Sequence, residues 1–451
     1  MNIIIAGNGR VGATLTKQLV SENHDITVID RDADILKNSA EKYDVITLQG
    51  NCASMTVLRQ ASIQDADLLI AATNSDAVNL LCCTTAHNLN PKLHTIARVR
   101  DPEYTEQIYA MRDVFGLSMS INPEKQTAVE IDRLLKYPGF LRRDTFAKGR
   151  TEIVELKIDS GSKLCNVRLA DLRSIVKCQV LVCAVIRGGN AIAPKGDFVL
   201  LQGDRLLVTA LTANLSLLLS NLGIITRRIN KVMLCGCGTS GYYLAELLLK
   251  EGIRLTIVEK DADRAQELAE LLPDANILEG DASDQTLLEE EGIERCDAIV
   301  TMTGSDELNM VTSMYAAACN VPQIITKLNH TRNRKVVEGL SLGSVICPKE
   351  LSSNTIVRYV RAFQNQKGAA LSVHAIAEGA MEALEFEIDE HARFQDTPLK
   401  MIRLKPDVLL VGITHGTSTA IPDGNSSFTK GDTVVVVTGS RKVMQFNDIF
   451  A

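Results

Sequence analysis

The chain is written twice, and this duplication limits its fold more than any other feature. Gly7-x-Gly9-x-x-Gly12 returns as Gly236-x-Gly238-x-x-Gly241, 229 positions later. At offsets of 228 to 230, Asp30 returns as Glu259, Gly50-Asn51 as Gly280-Asp281, Asp76-x-x-Asn79 as Asp306-x-x-Asn309, and Arg98 as Lys327. The matches continue beyond the glycine-rich parts. Gly149-x-x-Glu152-x-x-Glu155 pairs with Gly379-x-x-Glu382-x-x-Glu385, and Gly203-Asp204 with Gly431-Asp432. A nearly constant offset through seven features is the mark of a tandem repeat. It divides the 451 residues into halves, each larger than the roughly 150 residues of an average domain.

Within each copy the pattern changes once. Asn2–Ala6, Asp25–Ile29, Val45–Leu48, Asp67–Ala71 and Thr95–Val99 are short apolar runs, separated by stretches with helical spacing such as Gly12–Val20. That alternation predicts an α/β unit with a doubly wound parallel sheet. The later part of the first copy offers Val154–Ile158, Val180–Ile186, Phe198–Leu201 and Asp204–Val208 as strands, broken by Gly188-Gly189, Pro194 and Gly203. Its counterpart runs through Phe386, Val408–Ile413 and Val434–Val437, so each copy ends in a small α+β lobe. Four units are expected: Rossmann-like domains at 1–124 and 230–348, small lobes at 144–228 and 368–451. Between them, Ala128, Ile131, Leu134 and Leu135 share one helical face, as do Ile356, Tyr359, Val360 and Phe363. Such a helix either caps its own unit or crosses to pack on another.

Composition removes several function classes. Apolar residues make up 45% and charged residues 23%, which suits a globular chain and excludes the disordered class. The net charge of −7 and the absence of tryptophan argue against nucleic-acid binding, which needs cationic grooves and stacking platforms. The richest apolar stretch, Leu215 to Ile225, is interrupted by Ser220, Asn221 and Gly223 and falls short of a membrane span. Met1 to Gly7 reads as a first strand and not a signal peptide. The eleven cysteines form no C-x-x-C pair and no histidine lies at ligand spacing from one. They read as buried thiols of a reducing cytosol.

The glycine loops carry the chemistry. Each follows a strand, opens a helix, and is answered by an acid at the end of the next strand, the context that gives G-x-G-x-x-G its meaning. Gly7 permits the tight turn, Gly9 lets backbone approach a pyrophosphate, and Gly12 lets helix and strand pack closely. The helix start supplies free N–H groups and positive dipole to phosphates. Asp30, eighteen residues after Gly12, is placed for ribose hydroxyls and repels a 2′-phosphate, favouring NAD(H) over NADP(H). The adjacent Arg31 weakens that preference. Arg10 and Arg98 are candidates for the phosphates, or plain surface charges. Thr73 and Asn74 line the pocket, or simply turn the chain. In copy two Thr239 and Ser240 replace Arg10 and Val11, and Lys327 is a point charge where Arg98 is a planar fork. Cys235 and Cys237, one residue apart, suit neither a zinc hook nor a thioredoxin-type pair. The small lobes hold only His374, His391 and His415, without repeated partners. Duplicated nucleotide loops without duplicated proton-transfer groups suit sensing better than catalysis.

Gly7-Asn8-Gly9-Arg10-Val11-Gly12, Asp30, Gly50-Asn51, Asp76-x-x-Asn79 and Arg98, followed by a small lobe and all repeated, resemble the RCK (regulator of potassium conductance) family in tandem form. The resemblance covers essentially the whole chain. It implies a non-enzymatic cytoplasmic regulator, peripherally attached at the inner face of the membrane. There, as a dimer or tetramer, it would form a gating ring beneath a potassium-translocating subunit of the Trk/Ktr kind. It implies NAD(H), with ATP or ADP as further ligands. The first site would comprise Gly7, Asn8, Gly9, Arg10, Val11, Gly12, Asp30, Arg31, Asn51, Cys52, Thr73, Asn74 and Arg98. The second would comprise Gly236, Cys237, Gly238, Thr239, Ser240, Gly241, Glu259, Asp281, Ala282, Thr303 and Gly304. Asn51 departs from the family's usual Asp, kept as Asp281, and bears on nucleotide preference. An NAD-dependent dehydrogenase of duplicated form, or a regulator of another channel or a cation/proton antiporter, are the alternatives.

Overall fold

The computed structural model describes residues 1–137, 140–158, 161–223, 229–329, 340, 342–364, 370–377, 380–439, 443 and 445–451. Gly379, Ile225 and the expected unit limits at 228 and 368 lie outside the described residues.

The first unit is a six-stranded parallel sheet built from β1 (Asn2–Ala6), β2 (Asp25–Asp30), β3 (Ile46–Gln49), β4 (Leu68–Ala71), β5 (His94–Arg98) and β6 (Met119–Ile121). The strands lie in the order β3-β2-β1-β4-β5-β6, the doubly wound order whose switch point falls between β1 and β4. β1 is apolar throughout Ile3–Ala6 because helices cover both faces, as a central parallel strand requires. Those helices are α1 (Arg10–Ser21), α2 (Ala33–Lys42), α3 (Met55–Gln60), α4 (Asp76–Leu89) and α5 (Pro102–Met111). A further helix, α6 (Pro123–Lys136), leaves the unit with Asn122 as its N-cap, the side chain accepting from Lys125 N.

A five-stranded antiparallel sheet follows: β7 (Arg142–Phe146), β8 (Thr151–Lys157), β9 (Val180–Arg187), β10 (Asn190–Ile192) and β11 (Arg205–Leu211), ordered β10-β9-β11-β8-β7. Helices α7 (Leu172–Val176) and α8 (Leu215–Leu222) cover one face. Copy two repeats everything. β12 (Lys231–Cys235), β13 (Arg254–Glu259), β14 (Asn276–Glu279), β15 (Ala298–Thr301), β16 (Gln323–Lys327) and β17 (Ser344–Ile346) form the second parallel sheet, in the order β14-β13-β12-β15-β16-β17. Its helices include α9 (Thr239–Lys250), α10 (Ala262–Leu271), α11 (Gln285–Glu290), α12 (Asp306–Ala318) and the exit helix α13 (Pro348–Gln364). β18 (Ala370–Ile376), β19 (Met381–Glu387), β20 (Val408–His415), β21 (Ser418–Ala420) and β22 (Thr433–Thr438) make the last sheet.

The exit helices are exchanged between copies. The α6 face of Ala128, Ile131, Leu134 and Leu135 is buried against Leu244, Ala245 and Leu248 of α9, in the second unit. Ile356, Val357 and Val360 of α13 are buried against Val11, Leu15 and Leu19 of α1, in the first. Arg361 clamps Glu22 at the end of α1 through bonds of 2.9 and 2.6 Å. The crossing alternative therefore holds, and both halves are laced into one body. The small lobes close it further, with Phe146, Ile153 and Leu207 sharing a core with Met381, Ala383 and Val435.

One expected strand is absent. Phe198–Leu201 meets its neighbours only through an isolated bridge, Arg168 to Val199. The Asp204 carboxylate takes the Leu201 N–H at 2.8 Å, and Leu200 N donates to Val167, so an irregular loop satisfies this backbone. β6, β7 and β10 were not foreseen. β7 is charged, and is tolerated because Arg143 makes a bidentate pair with Glu152 of β8, 2.8 Å on each arm.

Candidate nucleotide-binding clefts

The first cleft opens at the carboxyl ends of β1, β2 and β4, where the strand order reverses. Gly7 has φ +92°, and a Cβ there would stand 2.8 Å from Thr73 Cα. A Cβ on Gly12 would collide with the Gly7 carbonyl oxygen. Gly9 is different. Nothing lies within 4 Å of where its Cβ would be, so the space over it is open to a ligand. Gly9 also caps α1 without any side-chain bond, leaving the first helical N–H groups facing the cleft.

Asp30 is held at the cleft floor by backbone. Its Oδ2 accepts from Asn8 N at 2.6 Å and its Oδ1 from Asp32 N at 3.1 Å. On the opposite wall Asn79, from α4, accepts from Thr73 N and Thr73 Oγ1 at 2.9 and 2.7 Å and donates to the Arg98 carbonyl at 2.9 Å. The repeated Asp76 accepts from the Arg100 and Asp101 N–H groups at 2.7 and 2.9 Å. The Asp-x-x-Asn pattern thus sets the shape of the wall, a supporting role its recurrence signalled without revealing.

The resulting space is about 340 Å³, of small-ligand size. Of the expected residues, Gly7, Gly9, Asp30, Arg31, Cys52, Thr73 and Asn74 line it, joined by Ile35, Gly50, Ser75 and Val78, which sequence reasoning missed. Others stand apart. Asn8 is buried behind the loop, donating to Ser39 at 2.5 Å and accepting from Thr16 at 3.3 Å. Val11 and Gly12 face the core, while Arg10 and Asn51 are exposed at the rim. Arg98 turns away to pair with Glu124 of α6 at 3.0 Å.

Copy two rebuilds this frame. Gly236 has φ +86°, Glu259 Oε2 accepts from Cys237 N at 2.7 Å, and Asn309 holds Thr303 as Asn79 holds Thr73. Gly238 and Gly304 keep open space over them, and Thr239 and Ser240 begin α9. Gly241 would bring a Cβ within 3.1 Å of the Gly236 carbonyl oxygen. The contents differ. Lys260 Nζ and Asp281 pair at 2.7 Å between the ends of β13 and β14, and that bond, with those from Ser283, draws the Asp281 carboxyl down to about 2. Burial pushes the Cys237 thiol up to about 12, and Ala282 is also buried. Lys327 is held below the ordinary lysine range chiefly by burial and donates to the Met302 carbonyl at 3.0 Å. Among the described residues no His, Cys, Asp or Glu group is arranged to hold a metal ion, and no helix is long and apolar enough to cross a membrane.

A larger space, about 1270 Å³, lies between α6, β7, β17 and α13. It is lined by charges of both signs, including Glu130, Arg133, Arg142, Asp144 and Glu350, and carries none of the repeated loop motif.

The comparisons with known proteins agree with this layout. The sequence profile of the TrkA-N domain matches residues 3–123 and 232–348, and that of the TrkA-C domain matches 153–223 and 383–451. The chain belongs to the TrkA family. A Trk system potassium uptake protein TrkA of Halomonas elongata is 32% identical, over 98% of this chain and 95% of that protein. The TrkA homolog 1 of Methanosarcina mazei is 31% identical, over 97% of each. A solved structure described as the GsuK channel bound to NAD shares the fold, with TM-score 0.61 and 18% identity, over 98% of this chain and 78% of that one. The TrkA relatives are named for potassium uptake and not for a reaction, which sets the dehydrogenase alternative aside.

Proposed function

We propose that this chain is the nucleotide-sensing regulatory subunit of a potassium uptake system, acting at the inner face of the membrane on a potassium-translocating subunit of the Trk/Ktr kind. Residues 1–124 and 230–348 serve as nucleotide-binding units, and 144–228 and 368–451 as the lobes that join them into a homo-oligomeric ring. NAD(H) is the ligand favoured by Asp30 and Glu259, with ATP and ADP as competitors.

The observation that carries this reading is the connection from the first cleft to the second unit. The Asn74 carbonyl, in the cleft wall, accepts from Arg100, and the Arg100 carbonyl accepts from Tyr243 of α9 at 3.0 Å. Tyr243 also accepts from Asn122, the N-cap of α6, at 3.0 Å. A ligand that settles Asn74 therefore acts on α6 and α9, one of the two helix pairs that lace the halves together. It shifts the ring only by the difference in its affinity for two shapes. A hundredfold difference at one site supplies about 2.7 kcal/mol, and several sites in a ring add.

The test is reconstitution with the potassium-translocating subunit in vesicles. Potassium flux should change with NAD(H), ATP or ADP, and the cofactor should be recovered unchanged. Flux indifferent to every nucleotide, or failure to co-purify with that subunit from detergent-solubilised membrane, would refute the reading.

A further inference from the structure

The first cleft has a feature the second lacks. Cys52 lies in its wall, in the turn after β3, and Cys82 lies directly behind on α4, fully buried in the same core cluster. The two side chains are neighbours, and each acts on the proton affinity of the other. Copy two shows how close these positions come. There the equivalents are Ala282 and Thr312, and Thr312 Oγ1 donates to the Ala282 carbonyl at 3.2 Å. Copy one thus places a sulfur on each of two residues that in copy two meet through a hydroxyl and a backbone carbonyl.

The two cysteines are not equivalent. The neighbouring Cys82, a backbone amide and the nearby Arg31 together hold the Cys52 thiol below the ordinary cysteine range despite its burial. Cys82 is held well above that range, first by Cys52 beside it and then by burial. One sulfur is therefore the better nucleophile and faces the cleft, while the other waits behind it. That is the arrangement of an attacking and a resolving thiol. The buried cysteines of the glycine loop in copy two, Cys235 and Cys237, are pushed up to about 12 by burial.

We propose that Cys52 and Cys82 form an oxidation site in the first cleft, converted to a disulfide by small hydroperoxides that enter through the cleft and shielded when a dinucleotide occupies it. The Cys52 thiolate attacks one peroxide oxygen. The O–O bond breaks, the leaving oxygen takes a proton and departs as water or an alcohol, and Cys52 becomes a sulfenic acid. Cys82 sulfur then attacks Cys52 sulfur, the S–O bond breaks, and the hydroxyl leaves as water with the Cys82 proton. Two electrons pass from the thiols to the peroxide. The oxidation rests on the thiol pair alone, while the shielding rests on the nucleotide reading of the cleft.

The experiment uses the reduced full chain, hydrogen peroxide as the probe, and peptide mapping after alkylation. A Cys52–Cys82 linked peptide, two hydrogens lighter, should appear before any other linkage. Cys82→Ser should leave a sulfenic acid on Cys52 that dimedone traps, and Cys52→Ser should leave Cys82 reduced. The Cys52→Ala, Cys82→Thr double variant copies the pairing of copy two, so it should fold and resist peroxide. With NAD at ten times its measured Kd, linkage should slow about tenfold, because only the free fraction reacts. Absence of the linked peptide, or its formation after other cysteines have reacted, overturns the site. NAD that binds by calorimetry without slowing linkage overturns the shielding. Linkage in a protein that binds no nucleotide upholds the thiol pair and instead overturns the proposed function.

Discussion

At the scale of single residues, the glycines of each loop do different work, and substitution should separate them. Gly9 has open space over it, so Gly9→Asp should fold, yet it should fill the phosphate position with a like charge and weaken NAD binding by calorimetry. Asp30→Ala removes a carboxylate whose bonds to a ligand would be worth about 1.5–3 kcal/mol, so affinity should fall at least tenfold. Wild-type affinity in both would remove the cleft assignment. Gly12→Ala, by contrast, drives a methyl into the Gly7 carbonyl and should cost about 3 kcal/mol or more in stability. Gly241→Ala starts at 3.1 Å and should cost clearly less, by denaturant unfolding of both variants. The loops were legible in sequence because glycine spacing reports backbone shape directly. The directions of Arg98 and Asn8 were not, since each is settled by a partner far along the chain, Glu124 for one and Ser39 for the other.

At the scale of elements, parallel strands such as β1 and β4 announce themselves as apolar runs because helices cover both faces. β7 carries Arg142, Arg143 and Asp144, and reads as a loop until Glu152 and His374 are brought beside it. The face of α6 was equally plain in sequence, but its destination was not, because periodicity says what a helix buries and not against whom. Ile131→Ala should cost about 2–4 kcal/mol. Hydrogen exchange should show the loss in α9 of the second unit as well as in α6. Exchange that changes only within residues 1–137 would contradict the exchange of helices. Arg361→Ala should be damaging too, since it strands the half-buried Glu22 carboxylate beside α1.

At the scale of the whole molecule, acid and base act on the seam between the halves. Burial in this region outweighs the attraction of Arg133 and raises the Glu130 carboxyl to about 7. A carboxyl with a raised folded value stabilises the fold while protonated, and that contribution is lost as pH rises from the ordinary 4.5 through about 7. Glu130→Gln should therefore raise the melting temperature at pH 8 and change it little near pH 4.5, the difference being at most about 3 kcal/mol. Asp144 runs the other way. Burial opposes its charge, but Arg142 and the bond to His374 of the other small lobe hold it below the usual carboxylate range. Its contribution is present above the ordinary aspartate value and fades in strong acid. The exchanged helices have a last consequence. Severed near residue 229, either half would bare a greasy stripe that its own missing sister normally hides, and it would seek a twin to cover it. A single covalent thread makes that marriage permanent, and so leaves the two pockets free to drift apart in chemistry while still answering to one another.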